Sequence, residues 1–463
     1  MKIQLIQPAG EIHRHRTGIF KRSLRYAPLT LATLAALVPE ELDCEITLQD
    51  EGVQPLDLDF EADIVGLSAI TGTALRTYDL ADQLRAKGHT VVIGGVHATL
   101  LPEEAAAHAD VIVTGYAEQA WPQLLRDFVR GELKPRYAAP TGRVLKVPIA
   151  RRDLLKRERY ATTNSIEATR GCPHKCDFCA VPAAWSGIYA HRPIEDVIAE
   201  LETFEKRHAV FIDLSPVEDV EHAKRLYRAM IPLRIRWLGL ATARIAEDDE
   251  LLKLAAQSGC KGLLIGFEAI EQPTLDRIRK NFHHAREYAD VVKRLHDHGI
   301  AIQGCFVFGF DTDDESVFEK TVEFVDKVKI DLPRYAVMTP FPGTGAYQRL
   351  AREGRLLHRN WSLYDVEHVV FQPKLMSPER LQDGLEWAWR QSYTWRSMAT
   401  RLLGSRCTLP LSISLNVGYR YYAKNLPLRT HPIFRDEPFI QESAAEVAER
   451  ELFELAAPQE AVA

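Results

Sequence analysis

Three cysteines form the most chemically informative cluster in the sequence. Cys172, Cys176 and Cys179 all lie within residues 170–179. Three thiolates in so short a segment can hold three corners of a cubane 4Fe–4S cluster, which has four iron atoms. The fourth iron is then without a protein ligand and can bind a small molecule. The spacing therefore predicts a catalytic iron–sulfur cluster rather than a centre that only stores electrons.

A structural zinc site and a redox dithiol are the alternatives for these cysteines. Zinc is usually held by four ligands in paired C-x2-C or C-x2-C and H-x3-H motifs, and the sequence has no second C-x2-C pair. His174 lies inside the loop, too near its neighbours to complete a tetrahedron. A redox C-x-x-C pair would leave Cys172 without a role. The iron–sulfur interpretation is therefore favoured.

The motif C-x3-C-x2-C resembles that of the radical S-adenosyl-L-methionine (SAM) enzymes, and Phe178 occupies the place of their aromatic residue before the last cysteine. The resemblance implies that the open iron chelates the amino and carboxylate groups of SAM. It also implies that one electron from the cluster cleaves SAM to methionine and a 5′-deoxyadenosyl radical, which takes hydrogen from unactivated carbon. In such enzymes the cofactor supplies the chemistry, and the protein positions and shields it.

The composition is that of an ordinary globular protein. The chain of 463 residues is 46% apolar and 26% charged, and its length predicts two or three domains. With a net charge of −6, the protein lacks the positive electrostatic field that nucleic-acid-binding proteins carry, so we expect no nucleic-acid partner. The longest apolar run, 28–39, is too short to span a bilayer. A reducing cytoplasm suits both the unpaired cysteines and an oxygen-sensitive cluster.

Residues 1–140 predict a flavodoxin-like, doubly wound parallel sheet, because short apolar strands alternate with helical patterns. The predicted strands are 2–7, 44–48, 63–70, 90–93 and 111–114, and the predicted helices are 29–38, 74–87, 103–109 and 119–129. Prolines and glycines mark 131–148 as an irregular linker. A ligand of such a domain lies at the carboxyl ends of the strands.

Those strand ends carry glycines and small polar residues, which let a large ligand approach the backbone. The candidates are Ser68, Ile70, Gly94, Gly95, His97, Gly115 and Glu118. The layout resembles cobalamin-binding domains, which pair a Ser-x-Leu or Ser-x-Thr motif with Gly-Gly on the next strand, and so implies that these residues bind cobalamin. The Asp-x-His-x-x-Gly motif of that family is missing. The resemblance therefore implies cobalamin without a histidine ligand, with His97 in a turn or pocket wall. The alternative is a domain that has kept the fold without the cofactor.

Residues 150–345 predict a partial (β/α)6 barrel of the TIM type, whose chemistry gathers at the carboxyl ends of its strands. The predicted strands are 165–168, 210–214, 236–241, 263–267, 300–308 and 334–338, with helices at 193–206, 221–230, 248–258, 284–298 and 315–328. SAM needs an acceptor for its ammonium, partners for its ribose hydroxyls and a cation for its carboxylate. The candidate SAM-binding residues are Phe178, Asp213, Ser215, Thr242, Arg244 and Glu268. Arg244 and Glu268 resemble positions used in the superfamily. Alternatively, Asp213, Arg244 and Glu268 form one internal salt-bridge network across the barrel mouth.

Residues 346–463 predict a mainly helical C-terminal region rich in aromatic residues. Its expected helices are 377–398 and 413–423, followed by a fraying helix at 444–463. This region could close the barrel and line a substrate pocket, or its aromatic residues could simply be core. Residues 280–284 are expected to be a polar loop before a helix.

The resemblance covers about residues 1–400 and implies a cobalamin-dependent radical SAM enzyme, a C-methyltransferase that acts on an unactivated carbon of a small molecule. Its cofactors would be a 4Fe–4S cluster, SAM and cobalamin, and its partner an electron donor such as flavodoxin or ferredoxin. A cyclase or rearranging enzyme with the same cofactors is one alternative. A non-catalytic cobalamin or iron–sulfur sensor, which would not cleave SAM, is another. The aromatic content favours an apolar or planar substrate.

Overall fold

The computed structural model describes residues 1–10, 26–138, 142, 146–185, 187–403, 407 and 409–427. Within these residues the chain forms two six-stranded parallel sheets flanked by helices, and then a helical region. The predicted α/β class, with a doubly wound sheet followed by a partial barrel, is confirmed.

The N-terminal sheet has the strand order β2-β1-β3-β4-β5-β6, and all its strands are parallel. Its strands are β1 Lys2–Gln7, β2 Glu45–Asp50, β3 Ile64–Ser68, β4 Thr90–Gly94, β5 Val111–Thr114 and β6 Arg136–Ala138. Its helices are α1 Leu29–Ala36, α2 Ala74–Ala86, α3 Val96–Leu100, α4 Pro102–Ala106 and α5 Ala117–Arg130. The central strand β3 is buried along its whole length, as expected where helices cover both faces.

Two features of this domain differ from the prediction. The first five strands follow the flavodoxin-like order 2-1-3-4-5, but β6 extends the sheet inside the stretch predicted as linker, where it pairs with β5. The predicted helix 103–109 is found as the shorter α4, and a second short helix that was not predicted, α3, precedes it. Pro102 explains the break, because proline lacks an N–H and favours the first turn of a new helix.

The second sheet is an open barrel with the strand order β14-β13-β12-β11-β10-β7, again all parallel. Its strands are β7 Ser165–Ile166, β10 His208–Phe211, β11 Arg236–Ala241, β12 Cys260–Glu268, β13 Ala301–Phe308 and β14 Leu332–Val337, and an antiparallel hairpin comprises β8 Thr169–Gly171 and β9 Tyr189–His191. Its helices are α6 Ala180–Trp185, α7 Ile194–Glu202, α8 Val220–Met230, α9 Asp249–Gln257, α10 Gln272–Arg277, α11 Tyr288–Asp297 and α12 Val317–Val328.

The C-terminal region packs against the β14 edge of the barrel. Its helices are α13 Gly345–Arg352, α14 Pro378–Ser392, α15 Trp395–Leu402 and α16 Leu409–Asn425. The single helix predicted at 377–398 is divided into α14 and α15, because Thr394 caps α15 by accepting a hydrogen bond from the Ser397 N–H at 3.3 Å. The helix predicted at 444–463 lies outside the described residues. The described helices include none long and apolar enough to cross a membrane.

Successive strand residues of the barrel face opposite sides. On the outer side, Phe267 of β12 contacts Tyr288 of α11, and Tyr335 of β14 contacts Trp389 of α14. The residues of opposite parity therefore face the barrel interior. This inner face includes Arg334 of β14, and its position beside α16 shows that the C-terminal region helps to enclose the interior.

Candidate active site

The cysteine loop leaves the barrel through a turn that only glycine can make. Gly171, at the end of β8, has φ +84°, and a Cβ built there would come within 1.9 Å of the Ile188 carbonyl oxygen on the partner side of the hairpin. A side chain at this position would clash with backbone in a conformation that L-residues rarely adopt. The hairpin β8–β9 thus fixes where the loop begins, one residue before Cys172.

Cys172, Cys176 and Cys179 are half-buried and not joined by disulfides. Burial raises the pKa of Cys176 to about 12 and the pKa of Cys179 to about 11, and Cys172 raises both values further, so the three thiols lie close together. Among the described residues, the three sulfurs are not a set whose atoms all lie within 4.8 Å of one another. A single zinc ion with bonds of about 2.3 Å would need such a set. This arrangement disfavours a single zinc ion and leaves the iron–sulfur interpretation in place.

Asp213 lies behind the loop rather than at the barrel mouth. It is fully buried, and it accepts hydrogen bonds from the Ala168 N–H at 3.0 Å, the Thr169 hydroxyl at 2.7 Å and the Thr169 N–H. Burial raises its pKa to about 7. The Asp213 carboxylate therefore has no exposed surface with which to make the predicted contact with SAM. The side chain instead supports the strand that leads into the cysteine loop.

Glu218 brings together four side chains at the mouth of the barrel. It accepts from the Ser215 hydroxyl at 2.8 Å and the Thr242 hydroxyl at 3.0 Å, and it pairs with Arg244 at 2.8 Å and His174 at 2.7 Å. Burial would raise the pKa of Glu218, but these hydrogen bonds hold it below its usual range. Three of the predicted SAM-binding residues therefore meet one another and the cysteine loop at this carboxylate.

Glu268 forms a second, separate ion pair on the inner face. Its carboxylate lies 2.8 Å from the Lys280 ammonium, and both groups influence the Cys176 thiol. Glu268 has φ +63°, a left-handed conformation rare for a side chain of its size, which is typical of functional sites. Phe178 packs edge-on against Phe310 at 5.7 Å. The single network proposed among Asp213, Arg244 and Glu268 is absent from the described residues, because each of these side chains has its own partner.

The cobalamin candidates gather at the carboxyl edge of the N-terminal sheet. Ser68 is buried, whereas Ile70 leaves 48% of its surface exposed directly after β3. Gly95 has φ +101°, and a Cβ there would come within 2.5 Å of the Ala69 carbonyl oxygen, so the β3 and β4 ends approach very closely. Gly94 precedes it in β4, and Gly115 follows β5 with φ +74°. These small residues leave an open edge beside an exposed apolar side chain.

His97 lies beneath this edge and has no exposed surface. Its ring lies 3.4 Å from a Glu104 carboxylate oxygen, which also accepts from the Trp361 indole N–H at 2.9 Å. The expectation that His97 is a turn or pocket-wall residue rather than a cobalt ligand stays a prediction. The His97 side chain has no exposed atom that could contact cobalamin. It instead helps to join the N-terminal domain to the C-terminal region.

Glu118 links the two sheets. Its carboxylate lies 2.6 Å from the guanidinium of Arg170, the residue before Gly171, and Arg170 also pairs with Glu167 at 2.7 Å. The Arg170 guanidinium stacks over the Tyr116 ring at 4.7 Å, and the Tyr116 ring in turn stacks on Trp185 of α6 at 6.0 Å. The carboxyl edge of the N-terminal sheet therefore faces the cysteine loop of the barrel.

The sequence alone missed Glu218, Lys280 and Arg170. The sequence places Lys280 in a polar loop, but its side chain is 7% exposed and enters the site as the partner of Glu268. Phe282 of the same loop stacks on His174 at 3.5 Å. Glu218 stands three residues after Ser215 in the same strand-end loop, and this proximity was a usable signal.

Two family models match the chain. The Radical SAM superfamily matches residues 166–325, and the B12 binding domain matches residues 17–125. The first match contains the three cysteines, and the second contains all the candidate residues at the N-terminal sheet edge. The two matched regions correspond to the two sheets described above.

Characterised relatives resemble the chain over most of its length. Bacteriochlorophyllide d C-12(1)-methyltransferase of Chlorobaculum tepidum is 31% identical over 397 residues, which cover 81% of this chain and 85% of the relative. Bacteriochlorophyllide d C-8(2)-methyltransferase of the same organism is 29% identical over 394 residues, which cover 81% and 87%. The anaerobic magnesium-protoporphyrin IX monomethyl ester cyclase of Rubrivivax gelatinosus is 27% identical over 375 residues, which cover 73% and 66%.

Two solved structures share the fold. The cobalamin-dependent SAM radical enzyme OxsB, solved with aqua-cobalamin and SAM bound, has a TM-score of 0.66 at 14% identity, and the match covers 98% of this chain and 75% of OxsB. The radical SAM methyltransferase TsrM of Kitasatospora setae has a TM-score of 0.63 at 16% identity, with 76% of both chains covered. At these identities the likeness concerns the fold alone.

Proposed function

The chain belongs to the cobalamin-dependent radical SAM family, and we propose that it is a C-methyltransferase that acts on an unactivated carbon of a small molecule. The observation that carries this proposal is the opposition of the two sheet edges. The Glu118–Arg170 ion pair brings the candidate cobalamin edge against the strand that leads into the cysteine loop. Two cofactors that share one cavity need this arrangement.

The residues present suit the cofactors of the family. Cys172, Cys176 and Cys179 would hold the 4Fe–4S cluster, and the glycine-rich edge around Gly95 would receive cobalamin. When bound, the cluster, SAM and cobalamin supply one-electron cleavage of a sulfonium and a transferable methyl group. The chain supplies position and charge around them. Glu218 fixes Arg244 and His174 beside the loop, and the buried Lys280 places a positive charge near Cys176 and Cys179.

The predicted SAM-binding set remains a proposal, refined by these contacts. Ser215, Thr242 and Arg244 lie together at the mouth, and Glu268 lies at the end of β12, paired with Lys280. We assign the SAM contacts to this group together with Phe178, and we assign to Asp213 the positioning of the loop. An external one-electron donor such as flavodoxin or ferredoxin would reduce the cluster. We also propose a cytoplasmic location, since such clusters are oxygen-sensitive.

Anaerobic reconstitution tests the proposal. Wild-type protein with iron, sulfide and cobalamin should cleave SAM when dithionite is added, and Cys176→Ala should lose both this cleavage and the brown absorbance of the cluster. Cys44→Ala is a matched control, because Cys44 is half-buried just before β2, outside the cysteine loop and the barrel. Normal SAM cleavage by Cys176→Ala would refute the assignment. A protein that binds cluster and cobalamin but never cleaves SAM would support the sensor alternative.

A cyclase without methyl transfer is the second candidate, because the Rubrivivax gelatinosus relative carries that name. SAM labelled at its methyl group separates the two. Label that appears in a product supports the methyltransferase, whereas substrate-dependent SAM cleavage without label transfer supports the cyclase. Genes neighbouring this one would direct the choice of substrates for the assay.

A further inference from the structure

The inner face of the barrel is a mainly apolar surface open to solvent. Its residues at mid-height have side chains that are partly or fully exposed although they lie inside regular strands. They are Val210, Leu238, Leu240, Leu264, Val307 and Ala336. Leu238, for example, is 37% exposed in the middle of β11. Apolar strand residues stay exposed in a barrel only when its interior is left unfilled, so this face is suited to contact an apolar ligand.

Arg334 interrupts this apolar surface. It lies in the middle of β14, and its register neighbour is Cys305 of β13, which in turn neighbours Gly266 of β12. The alternation along β14 places Arg334 on the inner face, because Tyr335 and Val337 are buried on the outer face. Among the described strand residues at this height, the other inner-face positions of β10 to β14 carry no charge.

No hydrogen bond or ion pair joins Arg334 to another side chain in the described part of the chain. The groups whose charge acts on it are Cys305, Tyr419, Tyr422 and Glu367. One carboxylate oxygen of Glu367 accepts a hydrogen bond from the Tyr422 hydroxyl, and the other is buried without a hydrogen-bond partner. Burial raises the pKa of this carboxyl above its usual range, which favours its neutral form over an ion pair with Arg334. Arg334 is exposed to the unfilled interior, where water can solvate it. An apolar ligand that filled the interior would remove this water and leave the guanidinium unpaired, which is costly, so the position suits a ligand that supplies a partner.

We propose that Arg334 binds a carboxylate of the substrate, whose apolar body lies against the inner face of the barrel. This inference rests on the proposed function and adds to it the substrate class, an apolar molecule that bears a carboxylate. The planar guanidinium can hold a carboxylate through two parallel hydrogen bonds. One arginine neutralises one negative charge, which suits a carboxylate better than a dianionic phosphate.

The position of Arg334 relative to the cysteine loop supports this assignment. The charges of Arg334, Glu268 and Lys280 all act on the Cys305 thiol. The Glu268–Lys280 ion pair also acts on the Cys176 thiol. Glu268 stands two residues beyond Gly266 at the end of β12, so the ion pair lies nearer the carboxyl end of the barrel than Arg334 does. A carboxylate at Arg334 would thus leave the rest of the substrate directed at the reacting end of the barrel.

Equilibrium dialysis of the reconstituted holoenzyme tests the proposal with two probes that share one apolar body, pyrenebutyrate and its neutral alcohol, pyrenebutanol. Wild-type protein should bind the carboxylate about 10- to 100-fold more tightly than the alcohol, and Arg334→Gln should lose this preference. Arg334→Lys should keep part of it, since a lysine retains the charge but not the two-pronged geometry. Arg286→Gln is the matched control, because its side chain is 84% exposed outside the barrel, and it should bind as wild type does.

Glu367→Gln separates this role from a purely structural one. If Arg334 serves the ligand, Glu367→Gln should keep or strengthen the preference for the carboxylate. If Glu367→Gln loses the preference as Arg334→Gln does, the two residues act as a structural pair and the proposal is overturned. Equal binding of the two probes to wild type, or no binding of either, also overturns it, as does loss of the preference when SAM is added without reductant. The methyltransferase assignment is untouched by these results, because it depends on SAM cleavage and label transfer.

Discussion

Glu118 and Arg170 form an ion pair of 2.6 Å between the first turn of α5 and β8, the strand that leads into the cysteine loop. Both side chains are 16% exposed, so water screens the pair only partly. Arg170 keeps a second partner, Glu167, on its own side of the interface. The pair is therefore a direct link between the candidate cobalamin edge and the cluster-binding region.

Breaking this link should loosen the contact between the domains without unfolding either one. We expect Glu118→Gln to lower the free energy of unfolding by about 1–2 kcal/mol, because Arg170 remains compensated by Glu167. Denaturant titration of the single variants and of Glu118→Gln/Arg170→Gln measures the coupling. Additive effects of the two substitutions would show that the pair contributes nothing.

Asp213→Ala should impair cluster assembly. The substitution leaves the Ala168 N–H, the Thr169 N–H and the Thr169 hydroxyl without their buried acceptor, at a cost of about 2–4 kcal/mol. Iron and sulfide content after reconstitution should fall, together with the melting temperature. Asp213→Asn keeps an acceptor oxygen and should lose less. Unchanged iron content in Asp213→Ala would contradict the positioning role.

Gly95→Ala and Gly88→Ala form a matched pair at the N-terminal sheet. Both glycines have positive φ, +101° and +88°, but a Cβ at Gly88 meets nothing within 4 Å, whereas one at Gly95 comes within 2.5 Å of the Ala69 carbonyl oxygen. Gly88→Ala should cost about 1 kcal/mol from backbone strain alone. Gly95→Ala should cost more and should reduce cobalamin retention on gel filtration. Equal cobalamin retention by the two variants would argue against a cofactor site at this edge.

The stability of the protein should decrease as the pH falls from about 6.5 to about 4 because of His222. Burial lowers the pKa of His222 to about 4 from 6.5, with further lowering by His191, whose ring stacks on it at 4.2 Å, while Asp219 opposes and Arg225 adds to the shift. Between these pH values the unfolded chain binds a proton that the folded chain does not, so the contribution is complete above pH 6.5 and is lost below it.

Thermal unfolding of wild type and His222→Gln across this pH range measures the effect. The difference in melting temperature between the two should shrink as the pH falls. His298→Gln, at an exposed helix end, should retain the wild-type pH dependence. A difference that stays constant from pH 7 to pH 4 would contradict the prediction.

The architecture could be predicted from the sequence, because a parallel α/β fold produces short apolar strands that alternate with helical patterns. It also located the cysteine loop, since ligand spacing is local in the chain. It could not reveal β6, which is only three residues long, or the break between α14 and α15, where Thr394 acts as a cap inside a continuous helical pattern. The strand β6 depends on pairing with β5, more than 20 residues earlier, whereas the cap at Thr394 is local but is hidden by the continuous apolar pattern.

The site was predicted less completely. Ser215, Thr242 and Arg244 were chosen because they follow strands, but their common partner, Glu218, emerges only when the strand ends meet. Asp213 has the residue type of a ligand acceptor, and its burial behind Thr169 decides its role. Arg334 had no motif at all, since a single cation in an apolar strand becomes informative only once the faces of the sheet are known.

Trp361 has a consequence for protein engineering. Its indole reaches Glu104 in the N-terminal domain, while Val366, five residues later, accepts a hydrogen bond from the Val337 N–H at the edge of β14. The segment from Trp361 to Val366 therefore contacts both the N-terminal domain and the barrel sheet. A chimera that carried the N-terminal domain of a homologue would lose the matched contact between Trp361 and Glu104 unless the segment around Trp361 came from the same homologue.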